Sequence, residues 1–389
     1  MDRGDMEHIQ SVLAAYFGRR YCVLTNRGTT ALTAALHGLN RPGARALYPA
    51  VMCSIPVFSA GFAGWRAGFA DVNLADANFD LNAVEQELKK GDVGAVVPVH
   101  MFGKPDDMAA LDALARRYGA DVVEDVALSM GARQNGKPAG SFGRVSCLSF
   151  VRKMLPLEMG GAVLTDDPDL ARRAQNFVDG LPAEDPARRD EISAAMKAFH
   201  SLTGYVACGG WARRDLLAPF DHEFRRLLLA STGPGDWAGS IILDELEKLT
   251  DILQARRARA EVYENALGEG GALIALDRTG SSLFAYPVRL RGLAVEDFLA
   301  FSANQGYTFK RIAYPDIHGV FAPGGTYPNA ETVEREIIGL PLDDDQPVSA
   351  FWEYADDFRR AVESYTQVAP ARRPVDIRGK LELRLGGVS

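Results

Sequence analysis

Lys153 stands in the stretch RKMLPLEMGG, between two apolar runs, SCLSF and GGAVLTDD, that both read as strands. A lysine in a suitable site can lose its proton, and its free amine then condenses with an aldehyde. Residues with complementary chemistry sit at the ends of other predicted strands. In LTNRGTTALTAALHGL, Gly28, Thr29 and Thr30 follow a strand and open a helix, whose free N–H groups and dipole favour a phosphate. In VVEDVALSMGA, Glu124 and Asp125 close a strand, at the edge where open α/β sheets bind ligands. A carboxylate there can keep a heterocyclic nitrogen protonated. Ser149, at the end of the strand before Lys153, adds a hydroxyl. Singly, each feature has an ordinary structural reading: a solvated lysine, a threonine helix cap, a salt-bridged acid. Together they match one cofactor, pyridoxal 5'-phosphate, with an aldehyde for Lys153, a pyridine nitrogen for Asp125 and a phosphate for the helix start and Ser149.

The elements that must position these residues alternate along the chain. Seven short apolar runs read as strands: YCVLTN, RALYPA, WRAGFADV, GAVVPVHMFG, ADVVEDVA, VSCLSF and GAVLTDD. Helical patterns such as TTALTAALHGL and DDMAALDALARRYG lie between them, which predicts an α/β domain with a mainly parallel seven-stranded sheet. Helices and a loop are expected from about residue 168 to 230, around AEDPARRDEI and AFHSLTGYVACGGWARRDLL. LDELEKLTDILQARRARAEVYENAL has the spacing of one long amphipathic helix leading to a smaller α+β domain. In that domain SLFAYPVRL and GYTFKRIAY read as strands and SAFWEYADDFRRAVESY as a closing helix. The expected organisation is a large domain over 1–245, a small one over 246–370 and a tail over 371–389.

With 47% hydrophobic and 24% charged residues, the 389-residue chain can bury a large core. A net charge of -8 argues against nucleic acid as a partner and leaves small molecules. Cys22, Cys53, Cys147 and Cys208 are scattered without metal-ligand spacing, so no metal is expected and a reducing compartment fits. The polar start MDRGDMEHIQ lacks a secretory pattern. The charge-free run from Ala46 to Trp65 is broken by Pro49 and Pro56, and reads as part of a soluble fold, so the expectation is a cytoplasmic protein without membrane contact.

Several of these motifs stand in the order found in the DegT/StrS-type aminotransferases, pyridoxal-phosphate enzymes acting mostly on nucleotide-linked keto sugars. NRGTTAL, VPVHMFGKPDDM, VEDVALSMGA, LSFVRKMLPLEMGGAV, YPDIHGVF and IIGLPL carry the resemblance, which spans about residues 5 to 365. It implies a fold-type-I transferase and homodimer, with the cofactor on Lys153, Asp125 at its pyridine nitrogen, and Gly28, Thr29, Thr30 and Ser149 around its phosphate. The implied reaction moves an amino group from an amino acid to a keto sugar, cyclitol or related carbonyl compound.

The sequence also departs from that family. Cys53, in PAVMCS, stands where the family stacks an aromatic ring on the cofactor, and its sulfur stacks more weakly. Leu128 replaces a Gln or His three residues beyond the aspartate, and Ser231 falls about where an asparagine reaches the partner's phosphate. The spacing from Ser-Phe to the lysine is one residue shorter. These departures keep open another pyridoxal-phosphate reaction, such as an elimination or a specialised natural-product step. A non-catalytic binding or regulatory descendant is the remaining alternative, against which Lys153 and Asp125 both stand. Lys310 and His318 are candidates to bind an acidic or hydroxyl-rich substrate, and otherwise read as a solvated lysine and a loop-packing histidine. His100 reads as a structural residue beside the sheet.

Overall fold

The computed structural model describes residues 3–53, 55–150, 154, 155, 157, 159–182, 194, 240–268, 270–310, 312, 321, 325–342 and 346–369. Helix α1 (Arg3–Tyr16) is followed by strand β1 (Tyr21–Thr25), α2 (Gly28–Leu39), β2 (Arg45–Pro49), α3 (Ile55–Phe62) and β3 (Arg66–Ala70). Next come α4 (Leu81–Leu88), β4 (Val93–Val96), α5 (Met108–Arg117), β5 (Asp121–Asp125) and the short hairpin of β6 (Arg133–Gln134) and β7 (Lys137–Pro138). Strands β8 (Val145–Ser149) and β9 (Gly161–Thr165) and helix α6 (Pro168–Asp179) close this part of the chain.

The seven predicted strands form one sheet in the order β1-β9-β8-β5-β4-β2-β3. Every neighbouring pair is parallel except those made by β9, which runs against both β1 and β8. Six strands therefore present their carboxyl ends along one edge. Both faces are covered, which is why the strands read as nearly continuous apolar runs. Helices α2, α3 and α6 pack on one face through Ala31, Ala35, Val57 and Leu170, against Val23, Val123, Cys147 and Val163. Helices α1, α4 and α5 cover the other, with Leu13 against Leu24 and Leu148, and Leu111 against Val96 and Val122. Helices α4, α5 and α6 start on aspartates, Asp80, Asp107 and Asp167, whose side chains accept the first free backbone N–H groups.

Helix α7 (Ser240–Leu267) continues the chain, followed by β10 (Leu273–Ala275), β11 (Tyr286–Leu290), α8 (Val295–Asn304), α9 (Pro328–Glu336), β12 (Ile337–Leu340) and α10 (Val348–Val368). The first half of α7 buries Ile242 and Leu249 in the core of the large sheet, while Ala260 and Tyr263 enter a second core. The expected boundary at 245/246 lies within α7, which contributes to both cores. The second core packs an antiparallel sheet, β10-β11-β12, against α8 and α10 through Tyr286, Phe298, Phe351 and Phe358. SLFAYPVRL and SAFWEYADDFRRAVESY fold as expected, into β11 and α10. GYTFKRIAY differs: its described residues form no strand, only a bridge from Ile312 to Gly339. Phe309 instead joins the aromatic core against Phe298 and Phe358. The chain after Leu290 returns to the large sheet at Asp71, whose carboxylate caps α9 by accepting the N–H groups of Asn329 and Ala330 at 3.1 and 2.8 Å.

Candidate active site

Successive side chains of a strand point to opposite faces, and this period sorts the carboxylates at the end of β5. Val123 and Cys147 lie in the core under α2, whereas Ser146 and Leu148 face away from it. Asp125, in register with Cys147, therefore shares the α2 face with Ser149, and Glu124 points to the opposite one. The two acids read together from the sequence end in different environments.

The start of α2 is built for close approach. A Cβ on Gly28 would lie 2.5 Å from the Cβ of Ser149 and 2.8 Å from its Oγ, and a Cβ on Gly161 would lie 2.7 Å from the nitrogen of Gly28. Only glycine lets this helix start rest on the ends of β8 and β9. The cap residue, Arg27, is extended and its side chain makes no capping bond. The first N–H in the helical pattern is that of Ala31, donated to the Arg27 carbonyl at 3.0 Å, and that of Thr29 has no acceptor among the described residues, while Gly28 sits at the bridge between Arg27 and Gly160. An aspartate here, as on α4, α5 and α6, would occupy these donors and repel an anion. Thr29 is half-buried. Thr30 is buried and donates its hydroxyl to Asn26 Oδ1 at 2.7 Å, so it stiffens the turn from within.

Asp125 is held at Oδ1 by the N–H of Ala127, at 2.9 Å, and is 8% exposed. Tyr48 is its neighbour below. The Tyr48 hydroxyl donates to the Pro56 carbonyl at 3.1 Å, and burial, followed by the negative charge of Asp125, pushes its pKa well above the ordinary tyrosine value. Burial likewise raises the Cys147 thiol, with smaller contributions from Asp125 and Glu124. Cys53 follows β2 and is half-buried, just before α3. Leu128 is buried, and its carbonyl accepts the Ser282 hydroxyl at 2.8 Å. Ser282 also donates its N–H to the Gly103 carbonyl at 3.0 Å, so the turn after Asp125 anchors the segment leading into β11.

On the far face Glu124 is fully buried and fully bonded. It accepts N–H groups from Gly140 and Phe142 at 2.7 and 2.9 Å and the Ser146 hydroxyl at 3.0 Å, and lies 3.1 Å from His100 Nε2. His100 Nδ1 is 3.2 Å from Asp106 Oδ2. Arg19 closes the network through Ser146, Asp166 and the carbonyls of Gly140, Phe142 and Gly143. Burial opposes the charge on His100, but the hydrogen bonds to Asp106 and Glu124 outweigh it and raise the pKa to about 9. This histidine is inside the sheet's polar core, and its left-handed φ of 53° turns the chain out of β4 to reach there. Arg19 had no signal beyond its place in a basic pair before β1.

Lys153, Cys208, Ser231 and His318 lie outside the described residues, as do residues 183–193 and 195–239 and the tail from 370. Lys153's described chain neighbours, Phe150 and Met154, are both buried in the core shared with α7. Lys310 is exposed, with its backbone N–H donated to the Tyr354 hydroxyl on α10. Among the described residues no cluster of His, Cys, Asp or Glu could hold a metal ion, and no helix is long and apolar enough to cross a membrane.

The family model for the DegT/DnrJ/EryC1/StrS aminotransferase family matches residues 4–197. The dTDP-3-amino-3,4,6-trideoxy-alpha-D-glucose transaminase of Streptomyces venezuelae is 33% identical over 348 residues, covering 87% of this chain and 82% of that enzyme. The chain belongs to this aminotransferase family. A second relative is the GDP-4-keto-6-deoxy-D-mannose 3-dehydratase of Yersinia pseudotuberculosis, 27% identical over 293 residues, 72% of this chain and 68% of the relative. Among solved structures, the aminotransferase TlmJ of Streptoalloteichus hindustanus superposes with a TM-score of 0.74 at 23% identity, covering 93% of this chain and 92% of that one. The expected fold-type-I architecture is thus present, and the chain is a pyridoxal-phosphate-dependent enzyme of aminotransferase type. The described residues fit that cofactor: a helix start with no side-chain cap, resting through Gly28 directly on Ser149, and a carboxylate on the same face.

Proposed function

We propose that the protein transfers an amino group from an amino acid to a keto sugar or a related cyclic carbonyl compound. The observation that carries this reading is the convergence of Asp125, Ser149 and the uncapped start of α2 on one face, at the carboxyl ends of their strands. The N–H groups of Gly28 and Thr29, with the hydroxyls of Thr29 and Ser149, bind the cofactor's phosphate. Thr30 holds that turn through Asn26. Asp125, oriented by the Ala127 N–H, holds a proton on the ring nitrogen. Cys53, half-buried after β2, would pack its sulfur against the ring. Lys153 would hold the cofactor through Nζ, and its amine would serve as the base that moves the proton at the substrate's amino-bearing carbon. When bound, pyridoxal phosphate supplies the carbonyl that captures the amine and a ring that draws electrons from the carbon losing its proton. A homodimer with its sites at the subunit interface completes the proposal, with Lys310 and His318 as substrate-binding candidates at the mouth.

The match to a dehydratase, together with Leu128 and Cys53 in place of the family's polar and aromatic residues, favours elimination as the second reading. One experiment separates them. Purified protein is given amino donors and nucleotide-linked 4-keto sugars, and the products are weighed: an amine replacing the carbonyl oxygen supports transfer, and loss of water from the sugar supports elimination.

A further inference from the structure

We propose that Arg256 is a positioning residue for Lys153: from α7 it ties the segment that follows the lysine to the turn that follows Asp125. This deepens the reading above and rests on it. Arg256 Nη1 donates to Met154 Sδ at 3.1 Å and to the Leu283 carbonyl at 3.3 Å. Met154 is joined to Lys153 by one peptide bond, so the two Cα atoms are about 3.8 Å apart. Leu283 leads the other way. Its N–H is donated to Ser281 Oγ at 2.9 Å, and its neighbour Ser282 donates to the Leu128 carbonyl at 2.8 Å and to the Gly103 carbonyl at 3.0 Å. Leu128 lies in the turn that begins at Asp125, where the Asp125 carboxylate accepts the Ala127 N–H. A single side chain of α7 thus connects the chain beside the amine with the chain beside the carboxylate.

Arg256 is 6% exposed and sits where α7 passes from one core to the other, between Leu253, packed with the large sheet, and Ala260, in the small core. The other arginines of this stretch do different work. Arg259 serves the small domain, with its guanidinium 5.4 Å from the centre of the Phe351 ring and Nη2 donated to the Gln346 carbonyl at 3.1 Å, and Arg257 is exposed. Met154, Leu155 and Leu157 are buried in the core that holds Ile242 and Leu249 of α7, so apolar packing already keeps this segment down. Such packing is not directional, and a methionine side chain turns about three bonds. A hydrogen bond to its sulfur fixes where along α7 the segment rests. Lys153 needs that register, because its amine must meet a carbon of a cofactor held separately by Asp125 and the start of α2, and an error of about 1 Å can slow such a reaction about a hundredfold. Taking a guanidinium out of water costs more than burying an apolar side chain of its length, so directed contacts are what the arginine adds here.

The test uses protein stripped of cofactor and two ligands, pyridoxal phosphate and pyridoxine phosphate, whose alcohol cannot condense with an amine. With the first, the Lys153 amine adds to the aldehyde carbon and the aldehyde oxygen leaves as water, a step followed by the rise of near-ultraviolet to blue absorbance after rapid mixing. Arg256→Met, apolar and of similar length, should slow that rise about ten- to hundredfold and leave the affinity for pyridoxine phosphate as in the parent, because the phosphate cradle is untouched. Arg256→Lys can still donate to the sulfur or the carbonyl, and should recover part of the rate. Met154→Leu nearly keeps the volume and removes the acceptor, so it tests the same contact even where Arg256→Met fails to fold. It should slow the rise by itself and add little to Arg256→Met. A parent-like rate in either variant would overturn the proposal. So would equal losses for both ligands, which would make Arg256 a residue of general stability. A parent chain that binds pyridoxine phosphate but never develops the absorbance with pyridoxal phosphate would instead refute the Lys153 reading beneath it.

Discussion

Gly28→Ala probes the contact on which the phosphate site is built. The new Cβ would lie 2.5 Å from Ser149 Cβ, 2.8 Å from its Oγ and 3.1 Å from its Cα. The hydroxyl can rotate away, but the other two atoms cannot, and carbon atoms need about 3.5 Å or more. The start of α2 must then lift by about 1 Å. Overpacking of this kind costs about 1–3 kcal/mol, and alanine's helix preference over glycine returns at most about 1 kcal/mol. A net loss of about 1–2 kcal/mol should appear in urea unfolding of the cofactor-free protein. Cofactor affinity should fall by about tenfold or more, because the Gly28 and Thr29 N–H groups move away from the Ser149 hydroxyl. Adding Ser149→Gly removes two of the three obstructing atoms. The double variant should recover stability, giving a coupling of about 1 kcal/mol, but not the affinity lost with the hydroxyl. A Gly28→Ala protein that unfolds and binds cofactor like the parent, or a strictly additive double variant, would refute the packing of α2 on β8.

Other expectations follow from the same geometry. The His100 pKa is raised above the unfolded value of 6.5 to about 9, so its contribution to stability is fully present below about pH 6.5 and is lost as pH rises through about 9. Its size is at most about 3.4 kcal/mol. The Asp106 N–H, 3.1 Å from Nδ1, gives the neutral ring a donor and softens the loss. Urea unfolding of the parent should therefore weaken from about pH 6 to 10, and His100→Asn should flatten the slope; parallel slopes would exclude the ion-paired histidine. Asp125→Asn should slow amination about ten- to hundredfold without changing the unfolding midpoint, and full activity would remove Asp125 from the site. Bound cofactor should protect Cys53 from alkylation, followed on its own peptide because Cys22 and Cys147 are buried. Equal labelling with and without cofactor would displace Cys53 from the ring.

Much of the sheet was legible because parallel strands buried on both faces leave apolar runs, and all seven runs became strands. The phosphate cradle was legible as Gly-Thr-Thr after a strand, but its parts were not equal. Thr30 turns inward to Asn26, and the sequence does not distinguish it from its neighbour Thr29. The Glu-Asp pair marked the ligand edge, yet only the strand's period shows that one acid faces the cradle and the other meets His100. That network was hidden because His100, Asp106, Glu124 and Ser146 are brought together by chain reversals rather than by spacing. The small sheet was harder to read, since β10 and β12 are three and four residues long, too short for a period to show. GYTFKRIAY alternates like a strand, but its Phe309 is taken by the aromatic core of α8 and α10.

The central claim is that this chain carries pyridoxal phosphate covalently on Lys153 and moves amino groups with it. The most direct measurement is borohydride reduction of the purified holoprotein, followed by digestion and mass spectrometry of the peptides. A near-ultraviolet to blue absorbance that reduction fixes onto the peptide containing Lys153, and that amino donors abolish beforehand, is the expected result. Fixation on a different lysine, or a protein whose absorbance no donor alters, would contradict it.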